Sequence, residues 1–331
     1  MEEIRWGIIG CGDVTEIKSG PAFNQVKNSK LVAVMRRDGA KAADYSKRHQ
    51  VAKWYDDAIQ LIRDPEVNAI YIATPPLQHE AYTIEALNAG KPVYVEKPMT
   101  LDAASAQRMT DAAHKLNVKL CVAHYRRAQP MFLKIKELLA GQVIGDIRLV
   151  RLKMLQSPNT SLIAKSADNW RINPAISGGG LFHDLAPHQL DLMTYYFGPV
   201  KNASGMAARQ QEDAEVDDLV LGNILFENGV VFSGNWCFSV APQDQADSCI
   251  IYGARGQISF PVFGNKFTVT TNQKTEEYVF EPLKHVQQPM IEKVVNYFLG
   301  KGQNPCSGED AWVTMKLMDD FTIKKINHKK D

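Results

Sequence analysis

The chain has 331 residues, of which 45% are hydrophobic and 23% are charged, and its formal net charge at pH 7 is +1. That length suits two domains better than one. Because the charge is so close to neutral, there is no overall electrostatic reason to expect binding to nucleic acid or to an anionic membrane surface. The sequence also lacks the run of about 18 apolar residues that a membrane-spanning helix needs.

The five cysteines are odd in number, and none of them shows C-x-x-C spacing. We therefore expect neither a disulfide framework nor a metal site, and we expect a reducing compartment. The N-terminal stretch "MEEIRWGIIG" lacks the basic and apolar segments of a secretion signal. These features favour a cytoplasmic protein.

The first third of the chain alternates short apolar runs with amphipathic stretches. Most of the runs are continuously apolar, as expected for strands that are covered on both faces. The candidate strands are 4–9, 31–35, 68–73, 92–96 and 119–123, and the candidate helices are 40–49, 79–89 and 103–116. This alternation predicts an α/β domain over residues 1–123 with a doubly wound parallel sheet.

After about residue 125 the pattern becomes antiparallel in character. A helix pattern at 131–139 precedes a long strand pattern at 146–155. Asn228-Gly229 joins two further strand patterns, and Asn-Gly is a strong hairpin signal. A second hairpin is predicted around Gly253–Gly256. Residues 124–331 therefore predict an α+β domain with a large, open, mostly antiparallel sheet, and its final helix, 309–326, could pack on either domain.

A glycine turn follows the first strand candidate, in the stretch "WGIIGCGDVTEIKSG". Gly10 and Gly12 would let the backbone approach a pyrophosphate at the start of a helix that begins with Asp13 and Val14. The third small position of the fingerprint is Thr15, so the motif is incomplete, but its place in a βαβ unit supports it. We predict a dinucleotide-binding Rossmann domain; the alternative is a structural turn in another doubly wound protein.

The residues after the second strand candidate bear on the choice of cofactor. An acid at that position would bind the ribose 2′-hydroxyl of NAD. Here Arg36 and Arg37 follow the strand, and Asp38 comes one or two residues late. Because a guanidinium can hold a phosphate bidentately, we predict NADP with Arg36 as the main contact. NAD with an arginine stacked on adenine, or two solvated surface arginines, remain alternatives.

Two more stretches lie where strand candidates end. In "ATPPLQHE", Thr74, Pro75 and Pro76 would form a wall beside the dinucleotide, and His79 opens a helix as a cofactor contact or as a packing residue. In "YVEKPM", an apolar strand runs into Glu96-Lys97-Pro98. The motif alone favours a surface turn, and its flanking motifs favour a lysine held at a cofactor cleft.

These motifs, followed by "HYRR" and "NWRINPAISGGGLFHDLAPHQLD", resemble the glucose–fructose oxidoreductase and inositol dehydrogenase family, Gfo/Idh/MocA. The resemblance covers nearly the whole chain. It implies an N-terminal Rossmann domain, a C-terminal domain with an open sheet, and a nicotinamide cofactor. It also implies a sugar, polyol or related small substrate and assembly as a homodimer or homotetramer through that sheet.

The resemblance implies Lys97, Asp184 and His188 as the catalytic residues, with Glu96 orienting Lys97 or contacting the cofactor. An ammonium beside the reacting hydroxyl stabilises a developing alkoxide, and an imidazole suits proton removal near neutral pH. On a helix, residues 184 and 188 share a face. The plainer interpretation is a helix-capping Asp184 and a core His188. Pro187 departs from the family pattern, and His183 is a lesser candidate.

Two aromatic–arginine pairs are the predicted substrate contacts. Tyr125 and Arg126 follow the last strand candidate of the first domain, where ligands of doubly wound sheets bind. Trp170 and Arg171 precede the glycines, and an aromatic face with a guanidinium suits a sugar ring or a carboxylate. The alternative for the second pair is a tryptophan that anchors a loop.

The combined prediction is reversible hydride transfer between a nicotinamide cofactor and a hydroxyl or carbonyl carbon. Two alternatives stay open. One is a non-catalytic ligand sensor that binds NAD(P), although such a sensor would not need the three catalytic side chains. The other is a glycosidase or epimerase of the same fold with tightly bound NAD. The basic tail at 323–331 is expected to be solvated, without a nucleic-acid partner.

Overall fold

The computed structural model describes residues 2–158, 160, 162, 170–211 and 215–322. The chain packs as two compact units. The first unit contains the chain up to Gln129 together with Leu283–Met315, and the second contains Pro130–Pro282 and the residues from Lys316. The first unit therefore extends six residues past the boundary drawn from the sequence, and a later segment of the chain returns to it.

The first unit is built on six parallel strands: β1 (Ile4–Ile9), β2 (Ser29–Met35), β3 (Lys53–Tyr55), β4 (Ala69–Ile72), β5 (Val93–Val95) and β6 (Leu120–Val122). Their order, β3-β2-β1-β4-β5-β6, is that of a Rossmann sheet. Every residue of β4, β5 and β6 is buried, which explains why these runs are continuously apolar. The predicted doubly wound sheet is confirmed.

The connecting helices of the first unit are α1 (Asp13–Ile17), α2 (Gly39–His49), α3 (Ala58–Arg63), α4 (His79–Asn88) and α5 (Ala103–Leu116). Asp38 and Asp102 cap α2 and α5, since each side chain accepts a backbone N–H three residues on. β3 and α3 were not predicted, because elements of three and six residues are too short to show a period.

The second unit contains α6 (Pro130–Ala140), α7 (Pro174–Ser177) and α8 (Gly180–Phe197). Its eight strands are β7 (Ile147–Leu155), β8 (Val200–Ala208), β9 (Leu219–Phe226), β10 (Val231–Cys237), β11 (Ala246–Gly253), β12 (Gly256–Phe260), β13 (Lys266–Thr271) and β14 (Thr275–Val279). Both predicted hairpins are present as β9–β10 and β11–β12, whereas β8, β13 and β14 were not predicted.

The strand order of this second sheet is β14-β13-β12-β11-β7-β10-β9-β8. Every neighbouring pair is antiparallel except β7 and β10. Buried and more exposed residues alternate along β7, β9 and β10, so one face of the sheet is covered and the other is open. The predicted open, mostly antiparallel sheet is confirmed.

The last two helices are α9 (Gln288–Phe298) and α10 (Gly308–Thr322). The first unit holds α9, where Lys119 donates to the carbonyl oxygens of Tyr297 and Phe298. The start of α10 belongs to the first unit and its end, from Lys316, to the second. The predicted final helix is confirmed up to residue 322, and positions 323–326 lie outside the described residues.

Candidate functional site

The turn between β1 and α1 has two glycines with different structural roles. Gly10 has φ +95°, and a Cβ there would lie 2.7 Å from the backbone nitrogen of Thr74, so only glycine fits. A Cβ on Gly12 would meet only the Gly10 carbonyl oxygen, at 4.0 Å. This open space suits the approach of a pyrophosphate to the backbone where α1 begins, at Asp13 and Val14.

Thr15 fills the position where the fingerprint has a third small residue. Its side chain is buried, and its Oγ1 donates to the Gly12 carbonyl oxygen at 2.8 Å. The Tyr45 hydroxyl donates to the Thr15 carbonyl oxygen, also at 2.8 Å. The threonine hydroxyl is therefore satisfied inside the first turn, and the departure from glycine does not disturb the turn.

Basic side chains follow β2, as predicted. Nη1 of Arg36 donates to the carbonyl oxygen of Cys11, in the glycine turn, at 3.3 Å, and Arg37 is exposed. The Asp38 carboxylate accepts the Lys41 N–H at 3.1 Å, which caps α2 and lowers the pKa of Asp38. The acid that follows β2 is thus used as a helix cap, while a guanidinium lies against the turn.

Thr74, Pro75 and Pro76 follow β4 and lead into α4 through a short 3-10 turn. His79, at the start of α4, is only 1% exposed. Its Nε2 lies 2.7 Å from the Thr74 carbonyl oxygen and its Nδ1 lies 3.0 Å from that of Pro98. His79 therefore ties two loops of the sheet edge together, which favours its packing interpretation.

The Glu96-Lys97-Pro98 motif directly follows β5. Glu96 is buried, Lys97 is half-buried, and the Lys97–Pro98 peptide is cis. Because the strand order is β2-β1-β4-β5, Arg36, the glycine turn, Thr74 and Lys97 follow one another along the carboxyl edge of the sheet. The ends of β2 and β5, which carry Arg36 and Lys97, are three strand spacings apart, about 14 Å. This linear order suits an extended dinucleotide.

Tyr125 and Arg126 open a 3-10 turn three residues after β6, at the same edge of the sheet. Both side chains are buried, and the Arg126 guanidinium carbon lies 5.6 Å from the centre of the Tyr125 ring. Their predicted position at the carboxyl edge agrees with the structure, and their contact with substrate stays a prediction.

In the second unit, three consecutive glycines lead into α8. At each of them either a positive φ or close packing favours glycine over other residues. Gly178 and Gly180 have φ +88° and +71°, where L side chains are strained. A Cβ on Gly179 would lie 2.2 Å from Nδ1 of His183. The helix that the "SGGG" motif introduces therefore starts in tightly packed surroundings.

Asp184 lies on α8 and forms an ion pair with Arg171, with 3.1 Å between Oδ2 and Nε. Both side chains are mostly buried, at 17% and 11% exposure. The Arg171 guanidinium also lies over the Trp170 ring, 4.5 Å from its centre. The predicted catalytic residue and one predicted pair of substrate contacts thus form one cluster. The first two residues of the "DNWRINP" motif lie outside the described residues.

His188 is four residues beyond Asp184 on the same helix, as predicted, and its ring meets the Phe263 ring edge-on with 5.5 Å between centroids. Pro187 lies inside α8, which continues to Phe197. His183 is also buried, and removal from water lowers its pKa to about 4. His183 is therefore uncharged at neutral pH.

Sequence reasoning did not single out Tyr71 and Gln287, which both donate to the Glu96 carboxylate. No local signal marks them, since Gln287 lies 191 positions from Glu96. Within the described residues, no group of three or more His, Cys, Asp or Glu side chains is arranged to hold a metal ion. None of the described helices is long and apolar enough to span a bilayer.

Comparison with known proteins places these features in a family. The model of the oxidoreductase family with an NAD-binding Rossmann fold matches residues 4–124, and the model of the GFO/IDH/MocA C-terminal domain matches residues 132–259. "Oxidoreductase P35" from Formosa agariphila is 50% identical over 318 residues, which cover 96% of this chain and 98% of that protein.

Two further proteins are similar at greater distance. Trans-1,2-dihydrobenzene-1,2-diol dehydrogenase from Bos taurus is 30% identical over 254 residues, which cover 76% of this chain and 72% of that protein. The structure of levoglucosan dehydrogenase with NADH has a TM-score of 0.86 at 20% identity and covers 96% of both chains, a likeness of fold. The chain therefore belongs to the GFO/IDH/MocA family and is an oxidoreductase with an NAD(P)-binding Rossmann domain.

Proposed function

We propose that the enzyme transfers hydride between a nicotinamide cofactor and a hydroxyl or carbonyl carbon of a sugar, polyol or related small alcohol. The observation that carries the proposal is the position of Lys97 at the carboxyl end of β5, on the same sheet edge as the glycine turn and Arg36. Two similar proteins, named as dehydrogenases of a diol and of levoglucosan, support this substrate class.

The nicotinamide ring, when bound, accepts or donates the hydride. The Lys97 ammonium stabilises negative charge on the reacting oxygen. His188 removes or returns the proton of that oxygen, and Asp184, held by Arg171, accepts a hydrogen bond from the substrate hydroxyl. Trp170, Tyr125 and Arg126 are the proposed substrate contacts.

NADP is the proposed cofactor. Arg36 lies against the glycine turn, and Asp38 is used as the cap of α2. A guanidinium at this position would bind the 2′-phosphate in a charge-assisted contact. Since the acid that follows β2 is engaged in the helix cap, NAD is the less favoured cofactor.

The test is a screen of polyols and aldoses with NADP⁺ and NAD⁺, followed at 340 nm. We expect net reduction of NADP⁺ with at least one substrate, and a Lys97→Ala variant should lose at least about 100-fold in kcat. Its NADP affinity should stay within about tenfold, because the lysine acts on the substrate oxygen. Lys30→Ala, which removes an exposed lysine at the other end of β2, is the matched control.

Cofactor binding is measured separately by calorimetry, with Gly12→Ala as the variant expected to lose it. If NADP binds but neither the wild type nor Lys97→Ala changes the absorbance at 340 nm with any substrate, the sensor alternative is supported. Equal turnover in both proteins would refute the catalytic role of Lys97. A protein that purifies with bound cofactor and shows no net change at 340 nm would support the glycosidase or epimerase alternative.

We also propose that two or four copies associate through the open face of the second sheet. Met206 and Val231 are 43% and 40% exposed there, and side chains of β9 between them are half-exposed.

The five cysteines are all free thiols. This supports a reducing compartment and the proposed cytoplasmic location.

A further inference from the structure

A buried polar network adjoins the residue that precedes Lys97. Nε2 of Gln287 donates to Oε1 of Glu96 at 2.5 Å, and the Tyr71 hydroxyl donates to the same oxygen. The Tyr94 hydroxyl donates to Oε1 of Gln287 at 3.1 Å. Glu96 is 6% exposed and the other three side chains are fully buried. A carboxylate this deep in the protein needs such donors, since it has little water to bind.

The network leaves the Gln287 amide one workable orientation. Its oxygen accepts the Tyr94 hydroxyl, so its NH₂ group must face the Glu96 carboxylate. Burial raises the pKa of Tyr71 and of Tyr94 well above the usual value, which keeps both hydroxyls protonated as donors. Glu96 is therefore the acceptor on which the donors converge.

Glu96 connects this network to the backbone of the proposed catalytic lysine. Its second carboxylate oxygen, Oε2, accepts the backbone N–H of Lys97 at 3.2 Å. Rotation of the Glu96 carboxylate would break that contact, and the hydrogen bonds of Tyr71 and Gln287 to the other oxygen oppose such rotation. The orientation of one carboxylate thus couples buried donors to the peptide that carries Lys97.

Gln287 reaches this position because the segment Leu283–Met315 belongs to the first unit. The backbone N–H of Gln287 donates to the Lys18 carbonyl oxygen at 3.2 Å. Beside it, Nε2 of Gln129 donates to the Val286 carbonyl oxygen at 3.1 Å. A segment far along the chain thus supplies one of the donors at the base of the sheet edge.

We propose that Gln287 and Tyr71 are positioning residues, which fix the Glu96 carboxylate and through it the backbone at Lys97. The proposal rests on the proposed function, in which the Lys97 ammonium acts at the reacting oxygen. Both positioning residues are fully buried, and in this proposal they act through Glu96. By fixing Glu96 they limit the displacement of the lysine. This restraint matters for the rate, because a misplacement of about 1 Å can cost about 100-fold.

The first experiment tests the network without any substrate. Gln287→Glu places a second carboxyl beside Glu96, and two adjacent carboxylates cannot both ionise easily, so the pair retains a proton in the folded state. The unfolded chain releases that proton near pH 4.3. Because the folded pKa is raised, the variant should lose stability relative to the wild type as pH rises from 5 to 8.

Thermal unfolding at pH 5, 6, 7 and 8 measures this loss. Gln287→Met should be destabilised about equally at each pH, since methionine does not titrate. Gln60→Glu is the matched control, because it adds a carboxyl at an exposed position of α3, away from Glu96. A stability difference between Gln287→Glu and wild type that does not change with pH would contradict the contact between residue 287 and the Glu96 carboxylate.

The second experiment tests the positioning role. Gln287→Met and Tyr71→Phe should lower kcat about 10- to 100-fold, with the substrate KM and the NADP affinity unchanged. The activity of Gln287→Glu should approach that of the wild type at the same pH as pH is lowered toward 5, since a protonated carboxyl can donate to Glu96 as the amide does. Gln60→Glu should keep wild-type kcat.

Normal kcat in both Gln287→Met and Tyr71→Phe would overturn the positioning role. A wild-type protein that binds NADP yet oxidises none of the screened alcohols would instead refute the proposed function. In that case the pH dependence of unfolding still decides whether the network exists, so the two failures are distinguishable.

Discussion

Burial controls the protonation of two histidines in this enzyme. The pKa of His183 falls to about 4 because its ring is removed from water. Burial also lowers the pKa of His79, although the carbonyl oxygens of Thr74 and Pro98 favour the protonated ring and oppose this effect. Both rings are therefore neutral at pH 7, and neither carries charge into the proposed reaction, in which His188 moves the proton.

His183 should make stability depend on pH. The unfolded chain binds a proton at this histidine near pH 6.5, and the folded protein only near pH 4. Stability is therefore lost as pH falls through this window, by roughly 3 kcal/mol for His183 alone. Urea unfolding of the wild type and of His183→Gln at pH 7, 6, 5 and 4.5 measures the effect, and the variant should show the weaker dependence. The same dependence in both proteins would contradict the prediction.

At the scale of elements, glycines on neighbouring strands make room for the end of α10. Gly205, Gly222 and Gly234 lie side by side on β8, β9 and β10. A Cβ on Gly222 would lie 2.3 Å from the Phe321 ring, and one on Gly205 would lie 2.7 Å from the Phe321 backbone. The Trp236 ring packs beside Phe321 at 6.0 Å. Gly205 and Gly222 thus make a groove that this buried aromatic ring fills, whereas a Cβ on Gly234 would lie 2.4 Å from the Trp236 ring.

Gly222→Ala should therefore destabilise the second unit by roughly 1–3 kcal/mol, because a methyl group would overlap the Phe321 ring. Urea unfolding measures the loss. The cost should shrink when Phe321→Leu is combined with it, since the smaller side chain leaves room, and the double-mutant cycle reports this coupling. Asn223→Ala, at the exposed neighbouring position, is the control. An additive double variant would argue against the groove.

At the scale of the whole molecule, the open face of the second sheet determines the proposed assembly. We expect Leu221→Glu, in the middle of β9, to give monomers, because a charge would be buried where two copies meet. Light scattering should give two or four times the chain mass for the wild type and one chain mass for the variant. Leu116→Glu, an exposed apolar position of the first unit, is the control. Monomers in the wild type at micromolar concentration would refute self-association.

The sequence alone determined the features that depend on near neighbours. The glycine turn, the buried strands, α5 and both hairpins follow from spacing, turn chemistry and periodicity over a few residues. Lys97, Asp184 and His188 were identified as residue types in recognisable motifs, and their shared chemistry stays a proposal. The short elements β3 and α3 were missed because they contain too few residues to show a pattern.

Only the tertiary structure decided which side chains are partners. Arg171 pairs with Asp184, and Gln287 donates to Glu96 from 191 positions away. Likewise, only packing brought the segment Leu283–Met315 back to the first unit. The physical reason is that a polar group needs a particular partner once folding has removed its water, and which group is available depends on how the whole chain packs.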